Sequence, residues 1–181
     1  MAIYPRGAYH PPSDSSKRRL AMSIGFIPAL FILSILLAPP LSLAEPVDFS
    51  LSDLDGRQRQ LSEFRGKWVL VNYWATWCPP CIEELSELEI FHNSHKEKDA
   101  VVVGVNMEDI PPERLRAFVD EQFISFPILR SGPAVETPLG PIPGLPTSYL
   151  VSPEGEVVAR QVGRVEAEMV ESFIEKQGQN R

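Results

Sequence analysis

The chain has 181 residues, 44% of them apolar, with 17 basic and 24 acidic residues, 3 histidines and 2 cysteines. That length suits one main domain with a core of its own. The acidic balance argues against nucleic acid or anionic lipid as partners, and two cysteines are too few for a disulfide framework.

The first predicted segment is a leader. Lys17, Arg18 and Arg19 precede an almost wholly apolar run, Leu20–Ala38, broken by Pro28. Pro39-Pro40 and Ser42-Leu43-Ala44 follow at once, with small residues at the two positions a signal peptidase reads. Residues 1–44 are therefore expected to be an export signal, cleaved before Glu45. The run is also close to the length that spans a bilayer, so an uncleaved N-terminal anchor is the alternative. Met1–Pro12 is a polar extension, and the arginine pair resembles a twin-arginine signal only weakly. No cysteine lies near the site, which excludes a lipid-modified N-terminus. Residues 45–181 form the predicted domain. Of the basic and acidic residues, 4 and 1 fall in the leader, so the domain carries a net charge of −10.

Within the domain, Val47–Leu51 alternates like a strand. Asp55-Gly56 is a hairpin signal, and Arg57–Leu61 returns. Ser62–Gly66 reads as one helical turn. Trp68–Ala75 is a strand rich in β-branched and aromatic residues. A helix follows from about Pro79 to His95, with Ile82, Leu85, Leu88 and Phe91 at helical spacing. Ala100–Asn106 is continuously apolar, as suits a strand covered on both faces of a parallel sheet. Pro111-Pro112-Glu113 opens a second helix. Phe126–Leu129 is a short extended segment. Pro133–Pro146 holds five prolines and reads as an irregular loop. Thr147–Val151 and Glu156–Arg160 form a hairpin, and Val165–Gln177 a closing helix. This order predicts an α/β fold, a central mixed sheet flanked by helices with an N-terminal β-hairpin extension. Right-handed crossovers are expected to place helices on both faces.

The two cysteines, Cys78 and Cys81, stand where the Trp68–Ala75 strand turns into the first helix. A helix N-terminus offers free N–H groups and partial positive charge, which stabilise a thiolate. Two thiols on one turn can close and open a disulfide. A purely structural disulfide is a weaker reading, because so short a loop constrains little of the unfolded chain. A zinc site needs about four ligands; there is no second cysteine pair, and His92 and His95 read as solvated residues late in the helix. Pro79 and Pro80 are tolerated there because the first N–H groups have no intrahelical partner.

Val71–Cys81 resembles the active-site strand and turn of thioredoxin-fold proteins. Gly144-Leu145-Pro146-Thr147 resembles the loop of that fold that carries a cis-proline facing the cysteines. The opening, from Phe49 through Gly56 to Phe64-Arg65-Gly66-Lys67, is similar to the TlpA-like branch, exported thiol-disulfide reductases of the ResA and CcmG types. The resemblance covers about Val47–Ile174. It implies that Cys78 attacks, that Cys81 resolves, and that Pro146 is cis. It also implies that Trp77, Pro79 and Pro146, with Trp74, form an apolar collar on which substrate docks. Leu145 would offer its backbone to an extended substrate peptide. For each aromatic core packing is the competing reading, and for Trp74, on the strand, it is the preferred one.

Glu84 matches an acidic residue of the ResA-type site thought to help proton transfer; a solvated helix glutamate is the competing reading. Asn72 departs from thioredoxins, which place a buried Asp there. The Pro-rich segment before Pro146 is unusual beside relatives. The function implied is an extracytoplasmic oxidoreductase that reduces protein disulfides, in cytochrome c or oxidase maturation. It would need no cofactor or metal, a membrane electron donor to recharge it, and no nucleic acid, and it is expected to be a monomer. A disulfide oxidant or isomerase is the main alternative. A Cu(I)-binding metallochaperone is another, and a peroxidase a third. The Pro-x-x-x-Thr-x-x-Cys setting of peroxiredoxins is absent.

Overall fold

The computed structural model describes residues 46–179, so the predicted leader and its cleavage site lie outside the described residues. The N-terminal hairpin is present as β1 (Ser50–Asp53) and β2 (Gln58–Gln60). Asp53 closes its turn by accepting from the N–H groups of Asp55 and Arg57 through one carboxylate oxygen, both at 2.9 Å. A short 3-10 turn (Leu61–Phe64) then leads to β3 (Trp68–Trp74). α1 (Pro79–His95), β4 (Ala100–Asn106), α2 (Pro112–Glu121) and β5 (Ile128–Arg130) follow. The chain ends with β8 (Thr147–Val151), β9 (Val157–Val162) and α3 (Ala167–Gln179). Between β5 and β8 lie two small strands, β6 (Glu136–Thr137) and β7 (Gly140–Pro141).

Seven strands make one sheet in the order β2-β1-β5-β4-β3-β8-β9. β3, β4 and β5 run parallel, while β1, β8 and β9 pair antiparallel to their neighbours. The central strands β3 and β4 are buried along their whole length, as suits strands covered on both faces. Side chains alternate between two cores. Trp68, Leu70, Trp74 and Val102 face one side, where Leu85, Leu88, Leu115, Val119, Val170 and Phe173 of the three helices meet them. Each such leucine, fully buried, contributes about 1.5–3 kcal/mol.

Val69, Val71, Tyr73, Val103 and Val105 face the other side. No helix covers that face among the described residues, which corrects the expectation of helices on both. Both parallel crossovers step in the same direction along the sheet, β3 to β4 to β5. Right-handed steps in one direction keep their helices on one face. The return from β5 to β8, which runs antiparallel to the central strands and so lies outside that rule, is the Pro-rich segment. Leu139 and Ile142 from that segment, with Leu61, Phe49 and Leu51 from the N-terminal part, close the second core instead.

The Pro-rich segment is thus not irregular throughout. Tyr149 donates its hydroxyl to the Pro141 carbonyl at 2.7 Å and holds β7 down. Gly140 sits at φ +133°, where a Cβ would lie 2.7 Å from the Tyr149 hydroxyl. Gly140→Ala is therefore expected to destabilise the protein by about 1–3 kcal/mol through backbone strain and the displaced tyrosine. Thermal unfolding of the variant, with Tyr149→Phe as the control for the lost hydrogen bond alone, measures it; an unchanged midpoint would refute the close fit.

Candidate active site

The site lies at the C-terminal edge of the parallel strands, where β3 ends at Trp74 and the chain turns into α1. Cys78 is the N-cap of α1, with Pro79 and Pro80 at the first two helical positions. Cys78 and Cys81 are joined as a disulfide, with Cα atoms 5.3 Å apart. Both are buried; Cys78 keeps 3% of its surface and Cys81 none, so only Cys78 has an open side. The Cys78 carbonyl accepts from the N–H groups of Cys81 (3.0 Å) and Ile82 (3.1 Å), which starts the helix. Because Pro79 and Pro80 carry no N–H, two of the free donors that usually crown a helix start are missing beside Cys78.

The turn before Cys78 is clamped from β4. In the parallel register Trp74 pairs with Asn106, so the ends of β3 and β4 lie side by side. Glu108, just past β4, is 8% exposed. Its carboxylate accepts from the Thr76 N–H at 2.6 Å, the Thr76 hydroxyl at 3.0 Å and the Asn106 amide at 2.9 Å. The sequence reading missed this cluster, although the paired strand ends pointed to it.

The second wall comes from β8. Tyr73 pairs with Thr147, which sets Pro146 alongside the end of β3. The Leu145-Pro146 bond is cis. The Thr147 hydroxyl donates to the Gly144 carbonyl at 2.6 Å, and the Pro146 carbonyl accepts from Gly163 at 2.8 Å. Pro146 is buried and Leu145 half-buried, packed against the cluster that contains both cysteines. Trp77 is 68% exposed, whereas Trp74 has no exposed surface. Trp74 is thus a core residue and no part of the collar. It packs 5.7 Å from Phe118, over Gly104, where a Cβ would come within 3.1 Å of the indole nitrogen. Pro79 is exposed. Trp77, Met107, Ile142 and Leu145 line an open groove of about 470 Å³, walled on one side by Pro133, Ala134 and Val135 of the Pro-rich segment. The structure thus brings Trp77 and Leu145 to one groove and leaves Pro79 outside its lining.

Behind the disulfide lies a buried polar network. Glu84, one turn beyond Cys81, has no exposed surface, so the solvated-glutamate reading fails. Its Oε1 accepts from the Asn72 amide at 2.7 Å and its Oε2 from the Val165 N–H at 2.8 Å. Burial dominates and pushes its carboxyl up from 4.5 to about 7, against those two hydrogen bonds and the nearby Arg164. Asn72 also donates to the Ser148 hydroxyl at 2.9 Å. The residues Asn72, Ser148 and Val165 thus join β3, β8 and the entry to α3 around one carboxyl. Sequence reasoning did not find Ser148 or Val165. The buried face of α1 runs through Cys81, Glu84, Leu85, Leu88, Phe91 and His92, and Ile82 lies beside it. His92 is therefore not solvated: it is 5% exposed and its Nδ1 accepts from the Val102 N–H at 3.2 Å. Burial holds its imidazole below the usual histidine range. His95 is half-buried and bridges Asp99 (2.9 Å) and Glu171 of α3 (3.2 Å).

A central mixed sheet, a dithiol at the start of the first long helix and a cis-proline beside it define a thioredoxin-fold thiol-disulfide protein. The chain belongs to the AhpC/TSA family, whose model matches residues 44–160, and within it to the thiol-disulfide oxidoreductases of the ResA type. It is 37% identical over 132 residues to the thiol-disulfide oxidoreductase ResA of Halalkalibacterium halodurans, covering 72% of this chain and 74% of that one. Among solved structures it is similar to a secreted thiol-disulfide isomerase from Corynebacterium glutamicum. There the TM-score is 0.64 and the identity 25%, over 70% of this chain and 81% of that one. A thiol:disulfide interchange protein from Chlorobium tepidum shares the fold at a TM-score of 0.64 and 23% identity, over 73% and 94%. The chain is thus a thiol-disulfide oxidoreductase.

Proposed function

We propose that this protein is an exported reductant of protein disulfides that works through the Cys78–Cys81 pair. Cys78, as thiolate, attacks a substrate disulfide; one substrate sulfur leaves and a mixed disulfide forms. Cys81 gives its proton to Glu84 and attacks Cys78 Sγ, and the second substrate sulfur departs. Two electrons pass to substrate and the Cys78–Cys81 disulfide closes. The substrate docks in the groove lined by Trp77 and Leu145, and Pro79 and Pro146, each next in sequence to a residue of the site, complete the docking surface. The leader, as signal or anchor, and the secreted relative support an extracytoplasmic site of action. A reductant there needs a membrane electron donor, and cytochrome c or oxidase maturation is the role that fits. The protein acts as a monomer.

The observation that carries the direction is the Pro79-Pro80 pair at the first two positions of α1. Stabilising the reduced thiolate makes a pair more oxidising. Two prolines remove donors that would stabilise it, so the pair should be reducing. Equilibration with glutathione, followed by tryptophan fluorescence, tests this. A potential near thioredoxin's, about −270 mV, supports a reductant, and one near about −120 mV makes the protein an oxidant. Pro80→Ala, which restores one N–H, is expected to raise the potential; a fall would reverse the argument.

A further inference from the structure

Asn72 lies in the middle of β3 with no exposed surface. Both hydrogens of its amide are committed, one to Glu84 Oε1 at 2.7 Å and one to Ser148 Oγ at 2.9 Å. Its Oδ1 is buried and has no partner. A buried amide oxygen left unpaired costs free energy, and native interiors hold few such atoms.

The orphan acquires a meaning once both states of Glu84 are considered. In this arrangement both carboxyl oxygens face donors, the Asn72 amide and the Val165 N–H. Two donors suit a carboxylate. A carboxylic acid carries a hydrogen on one oxygen and needs an acceptor there. The Val165 N–H belongs to the backbone and cannot reverse. The Asn72 amide can, because a half-turn about its last side-chain bond exchanges nitrogen and oxygen. Oδ1 would then accept from the Glu84 carboxyl and from the Ser148 hydroxyl, which can donate as readily as it accepts. The unpaired atom moves from Oδ1 to Nδ2, and the number of unpaired atoms stays the same. The two orientations are therefore near balance, and the proton on Glu84 selects between them.

We propose that Asn72 is a positioning residue whose amide turns over whenever Glu84 gains or loses a proton, so that one dry site accommodates both the carboxylate and the acid. This rests on the reading of Glu84 as proton acceptor for Cys81. When Cys81 hands over its proton and attacks Cys78 Sγ, Glu84 is left as the acid and Asn72 turns to accept from it. When Glu84 releases the proton, the amide turns back. Arg164, in the turn between β9 and α3 and paired with Glu83 at 3.0 Å, favours the carboxylate. Cys81 titrates only when the disulfide is open. A leucine at position 72 would serve neither form of Glu84. An aspartate would set a second carboxylate against the first.

Nuclear magnetic resonance of the oxidised wild-type protein, with whatever leader the cell leaves on it, tests the turn directly. Glutamate is labelled with carbon-13 and asparagine with nitrogen-15. The Asn72 amide protons should show cross-peaks to Ser148 at pH 9 and lose them at pH 5, with the Glu84 carboxyl signal moving at the same midpoint. An Asn72 amide that keeps those contacts while Glu84 titrates overturns the proposal. In stopped-flow kinetics Asn72→Leu should slow resolution of the mixed disulfide about tenfold at pH 7 and leave alkylation of Cys78 unchanged. Wild-type resolution with an unchanged pH profile would also overturn it. The two readings fail separately. If the amide turns in the wild type while Glu84→Gln resolves at full speed, the base assignment falls and the turning amide stands.

Discussion

Replacing Cys78 with serine is expected to abolish disulfide exchange, with a loss on the order of a thousandfold or more, as for a nucleophile that acts within a catalytic unit. Cys81→Ser should behave differently: it should attack once and stop, and the protein should accumulate bound to substrate through Cys78. The asymmetry follows from position. Cys78 is the N-cap of α1 and keeps the only open side of the pair, at 3% exposure against none for Cys81. It stands next to Trp77, which lines the groove with Leu145. Cys81 lies inside the first turn with no exposed surface and is bonded to Cys78. Mass spectrometry of each variant after incubation with a disulfide-bonded protein separates the outcomes. If Cys78→Ser captured substrate covalently and Cys81→Ser did not, the two roles would be exchanged. Performed on cells that express the Cys81→Ser protein, the same capture identifies the physiological partner.

Much of this site was legible because its residues sit where backbone rules are strict. The Ala100–Asn106 run is apolar almost throughout, so its burial in a parallel sheet followed from composition, and β3 was read from its β-branched and aromatic residues. The dithiol was placed by the strand-to-helix switch, and the cis bond at Pro146 by its resemblance to a known loop. The face of α1 was less legible. Ile82, Leu85, Leu88 and Phe91 suggested one stripe, but extending Leu85 and Leu88 by helical steps reaches Cys81 and Glu84 on one side and His92 on the other. Polar residues at those positions hid the true stripe from a count of apolar side chains. Ser148 and Val165 were invisible for another reason. Ser148 of β8 reaches Asn72 from 76 positions away along the sequence, and Val165, at the entry to α3, reaches Glu84 from 81. Only the register of the folded sheet puts them there. That no helix covers the second face among the described residues follows from the direction of the crossovers. Handedness fixes the face of each crossover only once the strand order is known.

Glu84→Gln should slow the resolving step about thirtyfold at pH 7 and by less near pH 9, because an ordinary thiol of pKa about 8.5 is only about 3% ionised at pH 7. With the carboxyl pushed up to about 7 by burial, Glu84 can accept the Cys81 proton at modest cost and still release it to solvent between turnovers. As pH rises a thiol needs a base less, so the variant should gain on the wild type. The same substitution should change stability with a definite sign. The native carboxyl has a higher pKa than the 4.5 of the unfolded chain, so the native state holds the extra proton between pH 4.5 and about 7. Its contribution is complete below pH 4.5 and is lost as pH rises through about 7. The loss amounts to about 3 kcal/mol. Glutamine has no such proton. Denaturant unfolding of the oxidised proteins at pH 4, 6 and 8 should therefore show the wild type losing ground to Glu84→Gln as pH rises, by up to that amount. His92 does not mimic this trend. Its native imidazole lies below the usual histidine range, so it weakens the fold as pH falls below 6.5, in both proteins alike. A stability difference that stayed constant from pH 4 to 8 would mean that Glu84 does not change its charge within the folded protein. The kinetic role would then have to be assigned elsewhere.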